Sequence, residues 1–342
     1  MAQTKRKSGS SSKKGKSSSK QTAKKKKQLS EAKVMTIGTL VVLAVAFMYR
    51  ASGCYIDMDG LPGIEHTKKD SVSSGEGSIT NVHFLDVGQG DSILICGSDK
   101  NVLIDGGERD QGDVVLADIK ELGVEKIDYI IATHPHSDHI GGLVDVLNYA
   151  ADYDDLSVSE VIIPDIPEED IPTTVVYEKF LDGAEANNAD VTFAEYKMTI
   201  DIGSGMITLY PPVEDKNYSS LNDYSVCAYL DCGKTSFFFT GDMEKSEEKD
   251  MLNSGYLHGL SATVLKAGHH GSNTSSSKEL LDLLNPQYVV ISCGTGNKYG
   301  HPHKESIKRF GEYADKIYRT DLDGTITCTT DGTNLAWTVK GS

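Results

Sequence analysis

The chain has 342 residues and a formal net charge of −16 at pH 7, a length that accommodates one large domain with an appended tail. The six cysteines show no CxxC spacing, which argues against a cysteine-ligated zinc ribbon or a dithiol redox motif. From Ala51 onward, 21 basic residues stand against 49 acidic ones, a net charge of −28. An acidic body of this kind argues against tight, sequence-independent binding of nucleic acid.

The first 33 residues form a basic, low-complexity segment. They hold 12 of the 34 lysines and arginines and only one acidic residue, Glu31. Residues 1–33 contain too little apolar surface to offset the entropy lost on folding, so we expect a disordered tail. The tail should be cytoplasmic, because lysine-rich flanks of a membrane segment stay on that side.

Residues 34–50 form an apolar run that predicts a membrane anchor. A buried core helix is disfavoured, since a lysine-rich tail directly precedes the run. A secretory signal peptide, and lipidation of Cys54 after a lipoprotein-like box, remain open alternatives. Residues 51–79 are rich in glycine, serine and charge and predict a linker. The catalytic domain, residues 80–342, is therefore expected outside a single-pass cell membrane anchor.

From Asn81 onward short β-rich runs alternate with helical stretches, which predicts an α/β fold. The first strands are joined by the tight turns GQGD and GSDK, so they should be antiparallel neighbours. Two mixed sheets with helices on their outer faces fit this order better than one doubly wound parallel sheet. The predicted helices are 113–121, 139–150, 175–187, 245–253, 277–284 and 304–313.

The segment THPHSDHIGG follows the apolar run IDYIIA and precedes a helix-like stretch. Its ligand-type side chains are His134, His136, Asp138 and His139. Three imidazoles and one carboxylate within six positions, between a strand end and a helix start, are the donor set of a divalent metal site.

At these residues the chain resembles the metallo-β-lactamase superfamily, across residues 80–340. The resemblance implies an αββα sandwich with one or two divalent metal ions, Zn or Mn, between its sheets. It implies that His134 and His136 bind the first metal and that Asp138 and His139 bind the second. It further implies that Asp242, after TSFFFT, bridges both metals, that His269 binds the second metal, and that His270 orients substrate or a ligand.

A narrower resemblance lies in FLDVGQGDS, LIDGG, LKAGHHGS and NKYGHP, which look like the hydrolase domain of ComEC-type competence proteins, the DNA-uptake channels. No histidine occurs from Ile140 to Gly241, so the first metal lacks the further histidine that the superfamily usually supplies. In the ComEC group an asparagine tends to stand there, and Asn222 matches it. Water, substrate or a group near Asn222 would then complete the first site.

The resemblance implies hydrolysis of a phosphodiester such as DNA by metal-activated water, with Asp138 and Asp242 positioning metal and water. His301, in YGHP, would act as a phosphate donor or general acid. The glycine- and hydroxyl-rich loops add candidate substrate-binding residues, namely Asp91, Asn222, His270, Ser272 and Asn273. The rival hypotheses are a hydrolase of another ester, of phosphocholine or lactone type, and a non-catalytic binding module. The membrane is an expected partner through the anchor, and no obligate protein partner is inferred.

Overall fold

The structure, a computed structural model, describes residues 78–341. The predicted tail (1–33), the predicted anchor (34–50) and the predicted linker as far as residue 77 lie outside the described residues, as does Cys54. Among the described residues, no helix combines the length and the apolar character needed to cross a membrane.

The strands of the described region alternate with its helices along the chain. The strands are β1 Thr80–Phe84, β2 Ile93–Cys96, β3 Asn101–Ile104, β4 Lys126–Ile131, β5 Ser157–Ile163, β6 Asp190–Phe193, β7 Thr199–Asp201, β8 Met206–Tyr210, β9 Cys227–Asp231, β10 Ser236–Phe239, β11 Val264–Lys266, β12 Tyr288–Ile291, β13 Lys316–Arg319, β14 Ile326–Thr330 and β15 Leu335–Val339. The helices are α1 Gly112–Glu121, α2 Ser137–Asp152, α3 Val175–Ala186, α4 Lys245–Ser254, α5 Lys278–Leu284, α6 Lys304–Phe310 and α7 Thr320–Asp323. Three 3-10 turns span Glu168–Asp170, Leu221–Tyr224 and Gly268–Gly271.

Two mixed sheets organise these elements. The first sheet has the order β15-β14-β1-β2-β3-β4-β5-β6, and the second has the order β13-β12-β11-β10-β9-β8-β7. β1, β2 and β3 pair antiparallel, which confirms the prediction from their tight turns, whereas β3 to β6 pair in parallel. The second sheet repeats the scheme, because β8, β9 and β10 are antiparallel and β10 to β13 are parallel.

The sheets pack face to face, and β10 shows why. Phe237 and Phe239 lie in the core between the sheets, while Phe238 lies in a separate core beneath the helices on the outer face. Alternate side chains of a strand point to opposite faces, so an all-apolar strand such as SFFF is buried on both sides. Removing any of these rings would cost about 3–5 kcal/mol.

A third core lies on the outer face of the first sheet, where α1, α2 and α3 cover it through residues such as Ile130 and Leu143. The layers are therefore helices, sheet, sheet and helices, as the sequence predicted for an αββα sandwich. The loop that follows β4 in the first sheet meets the residues that precede β9 in the second at one edge, where the Val226 amide donates to the Thr133 carbonyl at 2.9 Å.

Candidate metal centre

The first candidate ligands lie on residues 132–136, which join β4 to α2, and on the start of α2. His136 precedes the helix with extended backbone (φ −77°, ψ 151°), and Asp138 lies in the first helical turn. The helix dipole favours a carboxylate there. His134 and His139 are completely buried. The sharp change from strand to helix thus turns four ligand-type side chains toward the edge shared by the two sheets.

The second sheet contributes its own candidates from the ends of β10 and β11. Asp242 follows β10 after Gly241, whose φ of 50° allows the turn, and its amide donates to the Ser225 hydroxyl at 3.1 Å. His269 and His270 follow β11 with φ values of 47° and 53°. Non-glycine residues rarely adopt this left-handed backbone, and such conformations concentrate at functional sites.

Asp242 lies at the centre of these side chains. Its Oδ1 is 3.3 Å from Nε2 of His139. Its Oδ2 is 3.5 Å from Nε2 of His270, 3.7 Å from Nε2 of His269 and 3.9 Å from Nε2 of His134. One buried carboxylate therefore contacts histidines from two separate segments.

Four residues, Asp138, His139, Asp242 and His270, bring one ligand atom each to within 4.8 Å of one another. Nε2 of His139, Nε2 of His270 and Oδ1 of Asp242 are buried and make no hydrogen bond. Buried polar atoms are nearly always paired. Three such atoms facing one point, with two imidazoles and two carboxylates as the donor set, fit a divalent cation.

The Nδ1 atoms of His139 and His270 already make hydrogen bonds within the protein. Nδ1 of His139 is 2.7 Å from Asp105 Oδ2, and Nδ1 of His270 is 3.1 Å from the Ser292 carbonyl. Asp105 is itself held by the Thr133 amide at 2.8 Å and hydroxyl at 2.7 Å. A hydrogen bond at Nδ1 leaves the Nε2 lone pair free, which is how metal-binding histidines are oriented.

His134 and His136 form a second pair of donors. Nε2 of His134 lies 3.0 Å from Nδ1 of His136, close to the ~3.3 Å that separates two ligands of one tetrahedral ion with bonds of about 2.0–2.1 Å. Burial, reinforced by the neighbouring His139, lowers the pKa of His134 well below its ordinary value, and burial also lowers the pKa of His136. Both rings are thus neutral at pH 7, as metal ligands must be.

His269 and His270 are arranged differently from the sequence expectation, which placed His269 on the second metal and His270 with the substrate. His270 is the histidine that joins Asp138 and His139. His269 turns Nδ1 to Oε1 of Glu244 at 3.2 Å. Because both residues have left-handed backbone, their rings diverge, with centroids 5.9 Å apart and an interplanar angle of 69°.

Asp91 lies beneath the site and does not line the cavity, although the sequence suggested an anion-binding loop there. Its carboxylate is 2.6 Å from Nζ of the fully buried Lys266 and 3.2 Å from Nδ1 of His270. Burial alone would lower the pKa of His270, but the carboxylates of Asp242 and Asp91 outweigh it and raise the pKa to about 10. Protons therefore compete with a metal for this ring.

A cavity of about 290 Å³ opens over these groups. It is lined by Gln89, His136, Ser137, Asp138, Asn222, Asp242, His269, His270, Tyr299 and His301. Ser272 and Asn273, which the sequence suggested for substrate binding, are not part of the wall. The Ser272 hydroxyl is 2.8 Å from that of Thr274, and the Asn273 amide donates to Nδ1 of His303 at 2.9 Å, so both stabilise the loop instead.

His301 does line the cavity, as expected. Burial, followed by the neighbouring His269 and His270, lowers the pKa of His301 to about 4, so the ring is neutral at pH 7. Its Nδ1 is buried and unpartnered. The ring stacks on the half-exposed Tyr299, with centroids 5.6 Å apart and an interplanar angle of 23°.

Several residues that support the site were not singled out from the sequence, namely Thr133, Asp105, Lys266 and Glu244. Asp105 and Lys266 lie inside LIDGG and LKAGHHGS, the stretches that carried the narrower resemblance. Those stretches therefore held a signal for them. Glu244 follows Asp242 by two residues and had no distinguishing motif of its own.

Comparison with known proteins finds one family model and several relatives that this chain is similar to. Residues 85–152 match the family model of the metallo-beta-lactamase superfamily. ComE operon protein 3 of Bacillus subtilis is 29% identical over 263 residues, which cover 72% of this chain and 32% of that protein. Competence protein ComA of Neisseria gonorrhoeae is 28% identical over 270 residues, with coverages of 78% and 34%. The chain spans about a third of the length of these curated relatives.

Solved structures with a similar course of the chain include the metallo-beta-lactamase fold protein YhfI from Bacillus subtilis, at 12% identity and a TM-score of 0.45, covering 70% of this chain and 95% of that one. Another is CmlA, a diiron beta-hydroxylase from Streptomyces venezuelae, at 15% identity and a TM-score of 0.48, with coverages of 75% and 54%.

Proposed function

We propose that this chain, which has the metallo-β-lactamase fold, is a metal-dependent phosphodiesterase. Members of that superfamily are generally metal-dependent hydrolases. The observation that carries the proposal is the convergence of buried, unpartnered donor atoms around Asp242 at the floor of an open cavity. A binding module that had lost catalysis would have no reason to keep these donors unpaired, because each costs free energy when buried alone.

The residues present fit two ion positions. Asp138, His139 and His270 would hold one ion, His134 and His136 would hold another, and Asp242 would lie between them. When bound, a divalent ion lowers the pKa of water and withdraws charge from phosphoryl oxygens.

The remaining cavity residues would bind and orient the substrate. Neutral His301 keeps one N–H and can donate one hydrogen bond to a phosphoryl oxygen. We assign it this role instead of general acid, since a ring with a pKa of about 4 is neutral and not cationic at pH 7. The buried Oδ1 of Asn222 has no partner and can accept a hydrogen bond from water or a leaving hydroxyl. Tyr299 offers a flat, half-exposed ring at the rim.

No cysteine nucleophile is available in this mechanism. The five cysteines of the described region are free, and none of them lines the cavity. Burial raises the pKa of Cys293 to about 12, so its thiol stays protonated at neutral pH. The attacking group in this proposal is water activated by a bound metal ion.

Two relatives named for competence favour a DNA-type phosphodiester as the substrate. The acidic body of the chain would repel a polyanion at long range. Capture would therefore depend on the cavity itself, which suits a flexible single strand or a strand end better than a stiff duplex.

The test is an assay of the full chain, purified in detergent, with Zn²⁺ and with Mn²⁺. Single-stranded DNA, double-stranded DNA and bis-p-nitrophenyl phosphate are compared with a lactone and a phosphocholine ester. We expect phosphodiester cleavage that EDTA abolishes and that Asp242→Ala reduces to background. Asp182→Ala, at an exposed position on α3, is the matched control and should be unaffected. Cleavage of only the lactone or phosphocholine ester would overturn the choice of substrate, and full activity in Asp242→Ala would overturn the metal mechanism.

We also propose that residues 34–50 anchor the chain in the cell membrane and that the hydrolase domain faces outward. The apolar run and the basic residues before it support this orientation. Protease added to intact cells should remove the domain. Survival of the domain until the cells are lysed would show the opposite orientation.

A further inference from the structure

The two halves of the candidate centre differ in their number of donors. Asp138, His139 and His270 supply three ligand atoms on one side of Asp242. His134 and His136 supply only two on the other, and no histidine occurs from Ile140 to Gly241 to complete the set. Four protein or water ligands are the usual complement of a zinc ion.

His269 presents a free nitrogen at this incomplete side. Its Nε2 is 3.7 Å from Oδ2 of Asp242, comparable to the 3.9 Å from Nε2 of His134 to the same oxygen. Because His269 and His270 diverge, the ring of His270 approaches Asp138, at 3.4 Å, whereas the ring of His269 approaches Glu244, at 3.2 Å.

Asn222 identifies the direction in which His269 turns. Its Nδ2 is 3.5 Å from Nδ1 of His269, and both residues line the same cavity as His136. The buried amide of Asn222 thus contacts His269. His136 and His269 consequently face one cavity.

Glu244 holds His269 as Asp105 holds His139. Oε1 of Glu244 is 3.2 Å from Nδ1 of His269, and Asp105 Oδ2 is 2.7 Å from Nδ1 of His139. The Thr274 hydroxyl donates to the same Oε1 at 2.5 Å, which fixes the carboxylate. A carboxylate on Nδ1 keeps the proton there and leaves Nε2 as the donor atom.

We propose that His269 is the third nitrogen ligand of the ion bound by His134 and His136, with Glu244 as its positioning residue. The inference rests on the metal centre of the proposed function. It assigns four protein ligands to each ion, with Asp242 shared between the two ions. His269, at the end of β11, takes the place of the histidine that residues 140–241 lack.

Metal stoichiometry tests the proposal without recourse to activity. The full-length protein and its variants are stripped with chelator, reloaded with Zn²⁺, dialysed and measured by elemental analysis, with circular dichroism to verify folding. Wild type and His258→Ala, an exposed histidine, should retain two ions per chain. His269→Ala should retain one, and Glu244→Gln should weaken the affinity of that ion by about 10- to 100-fold.

Direct coordination is tested with His269→Cys and Co²⁺. A thiolate bound to cobalt gives a near-ultraviolet charge-transfer band, which should appear in His269→Cys and not in His258→Cys. This variant separates a ligand from a residue that merely supports the loop.

The outcomes distinguish the inference from the proposed function. No ion in wild type would overturn both. Two ions in wild type and two in His269→Ala, or no charge-transfer band in a folded His269→Cys, would overturn the inference and leave the hydrolase proposal standing. A single ion in wild type would also overturn the inference and leave the hydrolase proposal standing, because the site of His134 and His136 would then bind no ion.

Discussion

Lys266 is a fully buried cation directly below the candidate metal centre. Its ammonium is 2.6 Å from Asp91 and donates to the Ala267 carbonyl at 2.8 Å. Asp91 in turn contacts His270. A buried charge is tolerated only when it is paired, so this pair positions His270 as well as stabilising the fold.

We expect Lys266→Met to lower the free energy of unfolding of the chelated protein by about 3–5 kcal/mol, because it leaves the Asp91 carboxylate buried without its cation. The double variant Lys266→Met/Asp91→Asn should be more stable than the sum of the two single changes predicts. Urea unfolding of all three variants measures this coupling. Strict additivity would show that the ion pair is not the source of the stability.

His83 makes the folded state sensitive to acid at a place remote from the cavity. It is 7% exposed on β1, with Nδ1 2.9 Å from the Thr327 hydroxyl. Burial lowers the pKa of His83, although Asp118 opposes this. Above pH 6.5 the ring is neutral in both the folded and the unfolded chain. Below pH 6.5 the unfolded chain takes up the proton first, so the free energy of unfolding decreases.

His83→Gln should therefore flatten the decline in the free energy of unfolding between pH 6.5 and pH 5. The contribution removed is at most about 1.4 kcal/mol per pH unit. Urea unfolding at several pH values, compared with His258→Gln at an exposed position, provides the measurement. Equal slopes in wild type and His83→Gln would refute the assignment.

At the scale of elements, the close approach of α2 to the loop after β3 positions the first ligands. A Cβ on Gly142 would lie 2.0 Å from the Gly106 carbonyl oxygen. The backbone amides there are already paired, with the Gly106 amide donating to the His139 carbonyl at 2.7 Å. Glycine at this position therefore allows the helix to pack against the loop that carries Asp105.

Gly142→Ala should destabilise the protein by at least about 1–3 kcal/mol, because the clash is with backbone and cannot relax by side-chain rotation. It should also weaken metal binding by displacing His139 from Asp105. Gly311→Ala is the control, since its nearest neighbouring atom would be 3.5 Å away, and should change stability by less than about 1 kcal/mol. Thermal unfolding and zinc titration measure both effects. If Gly142→Ala left both the unfolding temperature and the zinc affinity unchanged, α2 would be shown to shift freely.

Three strands that lie outside the apolar runs named from the sequence share one property. β6, β7 and β15 are edge strands, and they have exposed or half-buried residues at most positions. An edge strand pairs on one side only and buries few side chains, so its sequence shows no apolar run. The central strands β4 and β10, which are covered on both faces, coincide within a residue with the apolar runs IDYIIA and TSFFFT.

On the scale of the whole molecule, charge should govern how the chain meets a polyanion. From Ala51 onward the chain has a net charge of −28, whereas residues 1–33 hold 12 lysines and arginines and only one acidic residue. Proteins that bind DNA through a basic face lose affinity as salt rises, with a log–log slope of about −0.9 per phosphate contacted. For an acidic domain the affinity for a polyanion should instead rise with salt, because salt screens the repulsion between the two negative charges.

For the chain without residues 1–33, we expect kcat/KM on an oligonucleotide to stay constant or to rise between about 50 and 200 mM NaCl. Hydrolysis of bis-p-nitrophenyl phosphate, which has a single charge, should change less over the same range. A tenfold loss on the oligonucleotide with added salt would instead indicate a basic binding surface formed by the fold.

The sequence by itself determined the α/β class, the antiparallel start of the first sheet and the HxHxDH loop. Each of these depends on local properties, such as apolar periodicity, turn length and the density of ligand-type residues. Only the tertiary structure decided that His270 joins Asp138 and His139 while His269 turns to Glu244, and that Lys266 neutralises Asp91 below the site. Because His269 and His270 are adjacent in the sequence, no motif spacing indicates which of them binds which group. Their directions depend on left-handed backbone at the end of β11 and on the packing of two sheets, which brings residues more than a hundred positions apart to one carboxylate.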